Sequence, residues 1–252
     1  MNGLPGLSVI VVTYERPLLL ADALHSIAAQ TVRPLEVRIA DDGGGSSLDT
    51  LPHLPLLELT ALAVSCGQAA AARNAAAAGA RGDVLVFLDD DDRWAPDHLA
   101  GIAAAFADPA VGFAWRDCAV IRERVSPEGA RETIETRIIA RDWDDALMRT
   151  NDYLPPSAWA VRRSLFESLG GFDESFRYSE DWDLVLRLAA ATKPCRIPGV
   201  TVEVRMRESG NASSDVNPER IACLERLSQR HGLGALPPMT FWEVAAIAAG
   251  SA

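Results

Sequence analysis

Residues 83–92 read DVLVFLDDDD. A short apolar run rich in β-branched residues, 84–88, ends in four consecutive acids, Asp89, Asp90, Asp91 and Asp92. Such a run suits a strand buried on both faces, as inside a parallel sheet. The acids stand at its carboxyl end, and open α/β sheets bind ligands outside that edge. Neighbouring like charges repel, so the cluster needs protons or a cation to relax. A hard divalent ion with oxygen ligands is one such relief. The blander alternative is a solvated acidic loop on an acidic chain.

The surrounding sequence decides between these readings. Residues 8–12 form a first apolar strand, and Pro17 then suits the first turn of a helix whose apolar stripe is Leu20, Leu24, Ile27 and Ala28. Residues 35–40 form a second strand that runs into Asp41, Asp42 and the glycines 43–45, which permit a tight turn. A third strand is expected over 57–64 and a helix over 69–80. Strand and helix alternate, which predicts an α/β fold with a mostly parallel central sheet and flanking helices. Four strand ends within the first 92 residues then converge on polar groups: Thr13 to Glu15, Asp41 and Asp42, Ser65, and the four aspartates.

After residue 92 the pattern changes. A helix from Pro96 ends near Asp108 and Pro109. Short strands are expected over 111–115, 119–124 and 133–138, with a turn at 126–129 between the last two. Pro155 and Pro156 break the chain. A strand over 158–161, helices over 164–169 and 181–191, and a strand over 200–207 follow, then helices over 218–231 and from Met239 onward. The expected organisation is one domain whose halves are 1–92 and 93–215, the second carrying a smaller antiparallel element. A C-terminal helical segment covers 216–252.

Bulk properties exclude some partners. The chain has 252 residues, 48% of them hydrophobic, and a formal charge of −11. It has no basic surplus to neutralise a nucleic-acid backbone, although one phosphorylated small molecule needs only local positive charge. Cys66, Cys118, Cys195 and Cys223 form no CxxC pair and no zinc pattern with the four histidines. There is no basic leader ahead of an apolar run and no 18-residue apolar stretch. The expectation is a cytoplasmic protein without a membrane span. The apolar segment 239–249 reads first as a core-docked helix, and peripheral contact with the inner membrane face is left open.

Several fragments together resemble the inverting family-2 glycosyltransferases of the GT-A fold: VVTYERP (11–17), ADDG (40–43), ARNAA (72–76), FLDDDD (87–92), LGGFDE (169–174) and SEDWDL (179–184). The similarity covers about residues 7–215. It implies transfer of a single sugar from a nucleoside diphosphate, with UDP or dTDP favoured, to an acceptor hydroxyl with the help of Mg²⁺ or Mn²⁺. The halves become a nucleotide-sugar half and an acceptor and catalytic half. The processive signature Gln-x-x-Arg-Trp is absent. The acceptor class (glycan, lipid-linked or small molecule) and the oligomeric state stay open.

The resemblance also implies roles. Thr13 and Glu15 surround the nucleoside; otherwise they serve the next helix as a cap and a favourable charge. Asp41 reads the base by accepting a pyrimidine N3–H, while Asp42 braces the glycine turn. Arg73 points towards the diphosphate, and Asn74 serves local structure. Asp89 lies on the ribose side, Asp90 is the variable middle of the Asp-x-Asp element beside the nucleotide sugar, and Asp91 holds the metal. Asp181, paired with Glu180, is the general base. Trp159 and Trp182 either line the acceptor pocket or belong to the core. Relatives often carry a histidine ahead of an Asn-x-Ser; here residues 204–213 lack it, Glu208 stands in its place, and Arg205 and Arg207 remain as phosphate contacts. Two other readings stay open: a nucleotidyltransferase on a related α/β fold, and a non-catalytic nucleotide-sugar-binding homologue.

Overall fold

Val9, Ile10 and Val11 are buried because the strand that carries them is flanked on both sides. This strand, β1 (Leu7–Thr13), pairs in parallel with β2 (Glu36–Asp41) and with β4 (Val84–Asp89). A third parallel strand, β3 (Leu59–Ala63), continues the sheet beyond β2. Between these strands run α1 (Pro17–Ala28) and α2 (Ala69–Ala77). Leu20, Leu24 and Ile27 of α1 are buried, as their spacing requires. The computed structural model describes residues 3–125, 131–207 and 216–249.

The sheet does not stop at residue 92. The short β5 (Arg93–Trp94) and helix α3 (His98–Phe106) lead into a long strand, β6 (Phe113–Val125). Then come β7 (Arg131–Ile139), α4 (Asp145–Met148), β8 (Trp159–Arg162), α5 (Arg163–Ser168), α6 (Glu180–Ala191) and β9 (Cys195–Arg207). The order across the sheet is β3-β2-β1-β4-β8-β6-β9-β5, with β7 on β6. Pairings β4–β8, β6–β8, β6–β7 and β5–β9 are antiparallel, and β6–β9 is parallel. The strands of the first 92 residues thus pair with one another only in parallel, and the second half adds every antiparallel pair together with one parallel pair, β6–β9.

Three expectations change. The strands expected over 111–115 and 119–124 are one strand, β6. The polar pair Arg116 and Asp117, which reads as a break, sits at a register shift against β9. There Arg196 grips Asp117 with two hydrogen bonds of 2.8 and 3.0 Å, and Gly199 N adds a third at 2.9 Å. Bidentate pairing of this kind lets the acid stay inside a strand. The β5 strand was not foreseen; two residues are too short to show a period. The strand expected over 200–207 starts earlier, at Cys195. The turn at 126–129 and the segment from Glu208 to Ser213 lie outside the described residues.

The C-terminal segment folds as α7 (Pro218–His231) and α8 (Phe241–Ala249). Val244, Ala245 and Ala248 of α8 are buried. The Arg137 guanidinium of β7 lies 3.9 Å from the Trp242 ring centroid and donates to Trp242 O at 2.7 Å. Helix α8 is thus a core-docked helix. No helix among the described residues is long and apolar enough to cross a membrane.

Candidate active site

Parallel pairing brings three strand ends side by side. Thr13 is the register partner of Asp41, and Val12 is the partner of Asp89. The Thr13 hydroxyl donates to Asp90 Oδ2 at 2.7 Å, so the end of β1 is tied to the aspartate run. Glu15 is exposed and holds a left-handed φ of 52°. A β-carbon on Gly43 would come within 2.9 Å of Glu15 Cγ, which explains glycine at the start of that turn. Thr13 does not cap α1: the cap position is Arg16, without a side-chain cap bond.

The four aspartates separate in role by their partners. Asp90 is 5% exposed and is held by Thr13 and by Arg16 Nη1 at 3.3 Å. Burial, then the charge of Asp91, pushes its carboxyl up to about 6. Asp92 is buried between the Ser157 hydroxyl at 2.5 Å and Arg205 N at 3.0 Å, which pins the loop to β9. Asp89 and Asp91 line a cavity. Asp91 Oδ2 lies 3.2 Å from Arg16 Nη1 and 3.5 Å from Arg207 Nη2. Burial and the charge of Asp89 raise its affinity for a proton.

Arg73 leaves the alanine face of α2 and is 5% exposed. Its Nη2 donates to Asp89 Oδ1 at 2.8 Å and its Nη1 to Glu180 Oε1 at 2.7 Å. Both terminal nitrogens are therefore engaged by carboxylates, and the guanidinium joins the end of β4 to the start of α6. Glu180 carries a cost: burial, then Asp181, pushes its carboxyl up to about 7 against the pull of Arg73. Asn74 does more than local work. Its Nδ2 donates to Phe172 O at 2.8 Å and its Oδ1 accepts from Phe172 N at 3.0 Å. Gly171, with φ of 70°, has no room for a β-carbon, which would lie 2.7 Å from Asn74 Oδ1. The loop that delivers α6 is clamped to α2 in this way. Ser179, just before α6, is also left-handed, with φ of 62°, an uncommon conformation for such a residue.

Asp181 faces the same cavity as Asp89 and Asp91. Its Oδ1 accepts from Trp182 N at 2.8 Å, and burial pushes its carboxyl up while Arg73 pulls it down. Asp183 is fully buried and engaged by Arg187 of the same helix at 2.8 Å and by His231 at 2.8 Å, the latter docking α7 on α6. The tryptophans differ. Trp159 is fully buried, 4.8 Å from the Phe87 ring, and belongs to the core. Trp182 is 6% exposed and touches both core and cavity, with Nε1 on Met148 O.

The two acids expected at the base differ in their partners. Asp41 is fully buried; its Oδ1 accepts from Gly43 N at 2.9 Å and its Oδ2 from Ser47 N at 2.7 Å. It is Asp41 that braces the glycine turn. Asp42 is half-buried, and its Oδ1 accepts from Cys66 N and Gly67 N, the loop ahead of α2. Its Oδ2 has no hydrogen-bond partner among the described residues.

The cavity has a volume of about 350 Å³. It also reaches Asp152, whose carboxyl is pushed well up by burial and then by Asp181. The described residues hold no group of three metal-ligating His, Cys, Asp or Glu side chains. Asp91 offers a hard oxygen donor of the kind a divalent ion takes, and a bound diphosphate would supply further oxygens. The cationic surroundings of Asp91 suit that diphosphate.

The sequence profile described as Glycosyl transferase family 2 matches residues 8–170. The chain belongs to glycosyltransferase family 2. It is 33% identical over 239 residues to the uncharacterized glycosyltransferase YwdF of Bacillus subtilis, covering 93% of this chain and 87% of that one. To the O-antigen biosynthesis protein RfbC of Myxococcus xanthus it is 30% identical over 77% of this chain, but it spans only 15% of that protein. Validoxylamine A glucosyltransferase of Streptomyces hygroscopicus subsp. limoneus is 26% identical over 95% of the chain and 59% of the relative.

Solved structures share the fold. Staphylococcus aureus TarS 1-349 in complex with UDP-GlcNAc superposes with a TM-score of 0.63 at 19% identity, covering 96% of this chain and 71% of that one. The mannosyltransferase PcManGT of Pyrobaculum calidifontis, in complex with GDP-Man and Mn²⁺, gives 0.61 at 23% identity, covering 98% and 70%. The fold is GT-A, as expected. Within this family-2 glycosyltransferase, sequence reasoning missed Arg16 and Asp152. Arg16 follows the strand end directly and carried a signal; Asp152, in the break before Pro155, carried none.

Proposed function

We propose that this glycosyltransferase transfers a single sugar, with inversion, from a UDP- or dTDP-sugar to an acceptor hydroxyl. The observation that carries the reading is that Asp89, Asp91 and Asp181, from the end of β4 and the start of α6, line one cavity. The nucleoside lies over the ends of β1 and β2, beside Thr13 and Glu15. Asp42 replaces Asp41 as the acid that accepts a pyrimidine N3–H, because one of its oxygens has no protein partner. Asp89 turns to the ribose side, fixed by Arg73. Arg16 and Arg207 present positive charge to the diphosphate.

Asp91 is the protein ligand for Mg²⁺ or Mn²⁺, which when bound offsets the diphosphate charge. Asp181 takes the proton from the acceptor hydroxyl as its oxygen bonds to the anomeric carbon. The bond from that carbon to the diphosphate oxygen breaks, and the electron pair leaves with the nucleotide. Glu180 is not free for this step, since Arg73 holds it; its work is to orient the start of α6. A GDP donor is the competing reading, because PcManGT of the same fold binds GDP-Man. Release of nucleotide from a library of UDP-, dTDP- and GDP-sugars with Mn²⁺ present tests the proposal. Turnover restricted to a GDP-sugar contradicts the donor assignment, and no turnover with any donor contradicts the activity.

A further inference from the structure

The cavity does not end at its acids. Part of its wall is C-terminal, made by Leu224 of α7 with Pro237, Met239, Phe241 and Val244. Leu224 and Val244 are buried, while Met239 and Phe241 are half-buried with faces left to the cavity.

This wall is built, not draped. Thr240 N and its hydroxyl donate to Glu243 Oε2 at 2.7 and 2.9 Å, and Glu243 N donates back to the Thr240 hydroxyl at 3.2 Å. That reciprocal pair is a capping box and fixes the entry into α8. Arg220 Nη2 donates to Met239 O at 2.5 Å, and Arg137 holds Trp242 from the sheet side. The same cavity is lined by polar groups as well, among them Asn151, Asp152 and Asp181. Asp152 spends one oxygen on Leu154 N at 3.0 Å.

A site of this kind offers both polar and apolar wall. A sugar hydroxyl set against Met239 and Phe241 would meet thioether and ring carbon, where it loses water without a partner from those side chains. An apolar group would be removed from water there instead. The cavity, about 350 Å³, is also lined by Arg73, Asp89 and Asp91 of the proposed donor side, which leaves the acceptor only part of it and favours a compact molecule.

Resting on the transfer reaction proposed above, we propose that the acceptor is a compact amphipathic molecule. Its reacting hydroxyl is set between Asp181 and Asp152, and an apolar or aromatic portion is held against Met239 and Phe241. The C-terminal segment is then the element that selects the acceptor.

Matched methyl, phenyl and octyl glycosides of glucose, galactose, mannose and N-acetylglucosamine test this by ligand-observed NMR and calorimetry. They are titrated into the nucleotide-free protein and into protein saturated with UDP and Mn²⁺. At least one phenyl glycoside is expected to bind about tenfold tighter than its methyl partner. Met239→Ser and Phe241→Ser are expected to erase that preference, and Phe241→Leu to keep most of it, with UDP affinity unchanged and a cooperative melting transition retained in each. Equal binding of phenyl and methyl partners, no binding of any glycoside, or a preference that survives both serine variants overturns the proposal. Octyl glycosides binding tighter than phenyl ones also overturn it, and indicate an acyl chain lying along an open groove. Failure of UDP to bind is read separately on the same samples: it contradicts the donor assignment, while the nucleotide-free titrations still score the apolar wall.

Discussion

Arg73 Nη1 donates to Glu180 Oε1 at 2.7 Å although 107 residues separate them in sequence. The same guanidinium holds Asp89 Oδ1 at 2.8 Å through Nη2. One buried cation thus sets the distance between the end of β4, where the nucleotide sugar is proposed to lie, and the start of α6, where the proposed base stands. A planar fork can hold two carboxylates at once; a lysine ammonium on a flexible stem holds them less well.

Arg73→Met removes the cation and leaves two carboxylates crowded in a poorly hydrated place. Unfolding in urea is expected to show a loss of about 3–5 kcal/mol, typical of breaking a buried pair from one side. Arg73→Lys is expected to retain part of the stability but to weaken donor binding, as measured by calorimetry. A stability equal to wild type in Arg73→Met contradicts the bridging role.

The metal assignment separates neighbouring acids. Asp91→Asn is expected to abolish the gain in nucleotide affinity that Mn²⁺ brings, with little change in melting temperature. Asp90→Asn disturbs the contacts to Thr13 and Arg16 and is expected to lower melting temperature more than metal response. Calorimetric titration of UDP with Mn²⁺ or with EDTA, beside melting curves, distinguishes the two. Unchanged transfer in EDTA contradicts the metal role.

Glu180 gives a pH dependence with a definite sign. Its carboxyl is pushed up to about 7 in the folded protein, from an ordinary value of 4.5. The folded state therefore binds this proton more tightly than the unfolded one. The corresponding stability is complete below the ordinary value and is lost as pH rises through about 7. Metal-free melting temperature is expected to fall between pH 4.5 and about 7, the window set by those two values, and Glu180→Gln is expected to flatten that fall. An unchanged slope in the variant contradicts the assignment.

Base recognition distinguishes two adjacent aspartates. Asp42→Asn is expected to reduce UDP affinity about tenfold or more, since an amide can point either donor or acceptor at N3–H but loses the charge. Asp41→Asn is expected to act on folding, through Gly43 N and Ser47 N. Melting curves and UDP titrations on both variants check this. A selective loss of affinity in Asp41→Asn reverses the assignment.

Much of the fold was legible because its signals are local. The apolar run 84–88, the helix stripe of α1 and the glycine turn after β2 each depend on neighbours in sequence. The unreadable parts depend on distant partners. Arg116 and Asp117 look like a break until Arg196 of β9 is set beside them. Asp41 and Asp42 are chemically identical, and only the amides that reach them tell them apart. Arg73 shows its charge in the sequence but not that both its ends are occupied. The apolar part of the cavity wall comes from Leu224, 43 residues beyond Asp181, and from 237–244, further still, so no local pattern announces it.

The central claim is that Asp181 takes the acceptor proton. Asp181→Asn keeps the size of the side chain, and its remaining oxygen can still accept from Trp182 N. Steady-state transfer kinetics and nucleotide titration on one preparation test the claim most directly. The account predicts a fall in kcat and kcat/KM of ~10²–10⁴-fold with nucleotide affinity and melting temperature intact. Turnover close to wild type, or loss of nucleotide binding together with turnover, would contradict it.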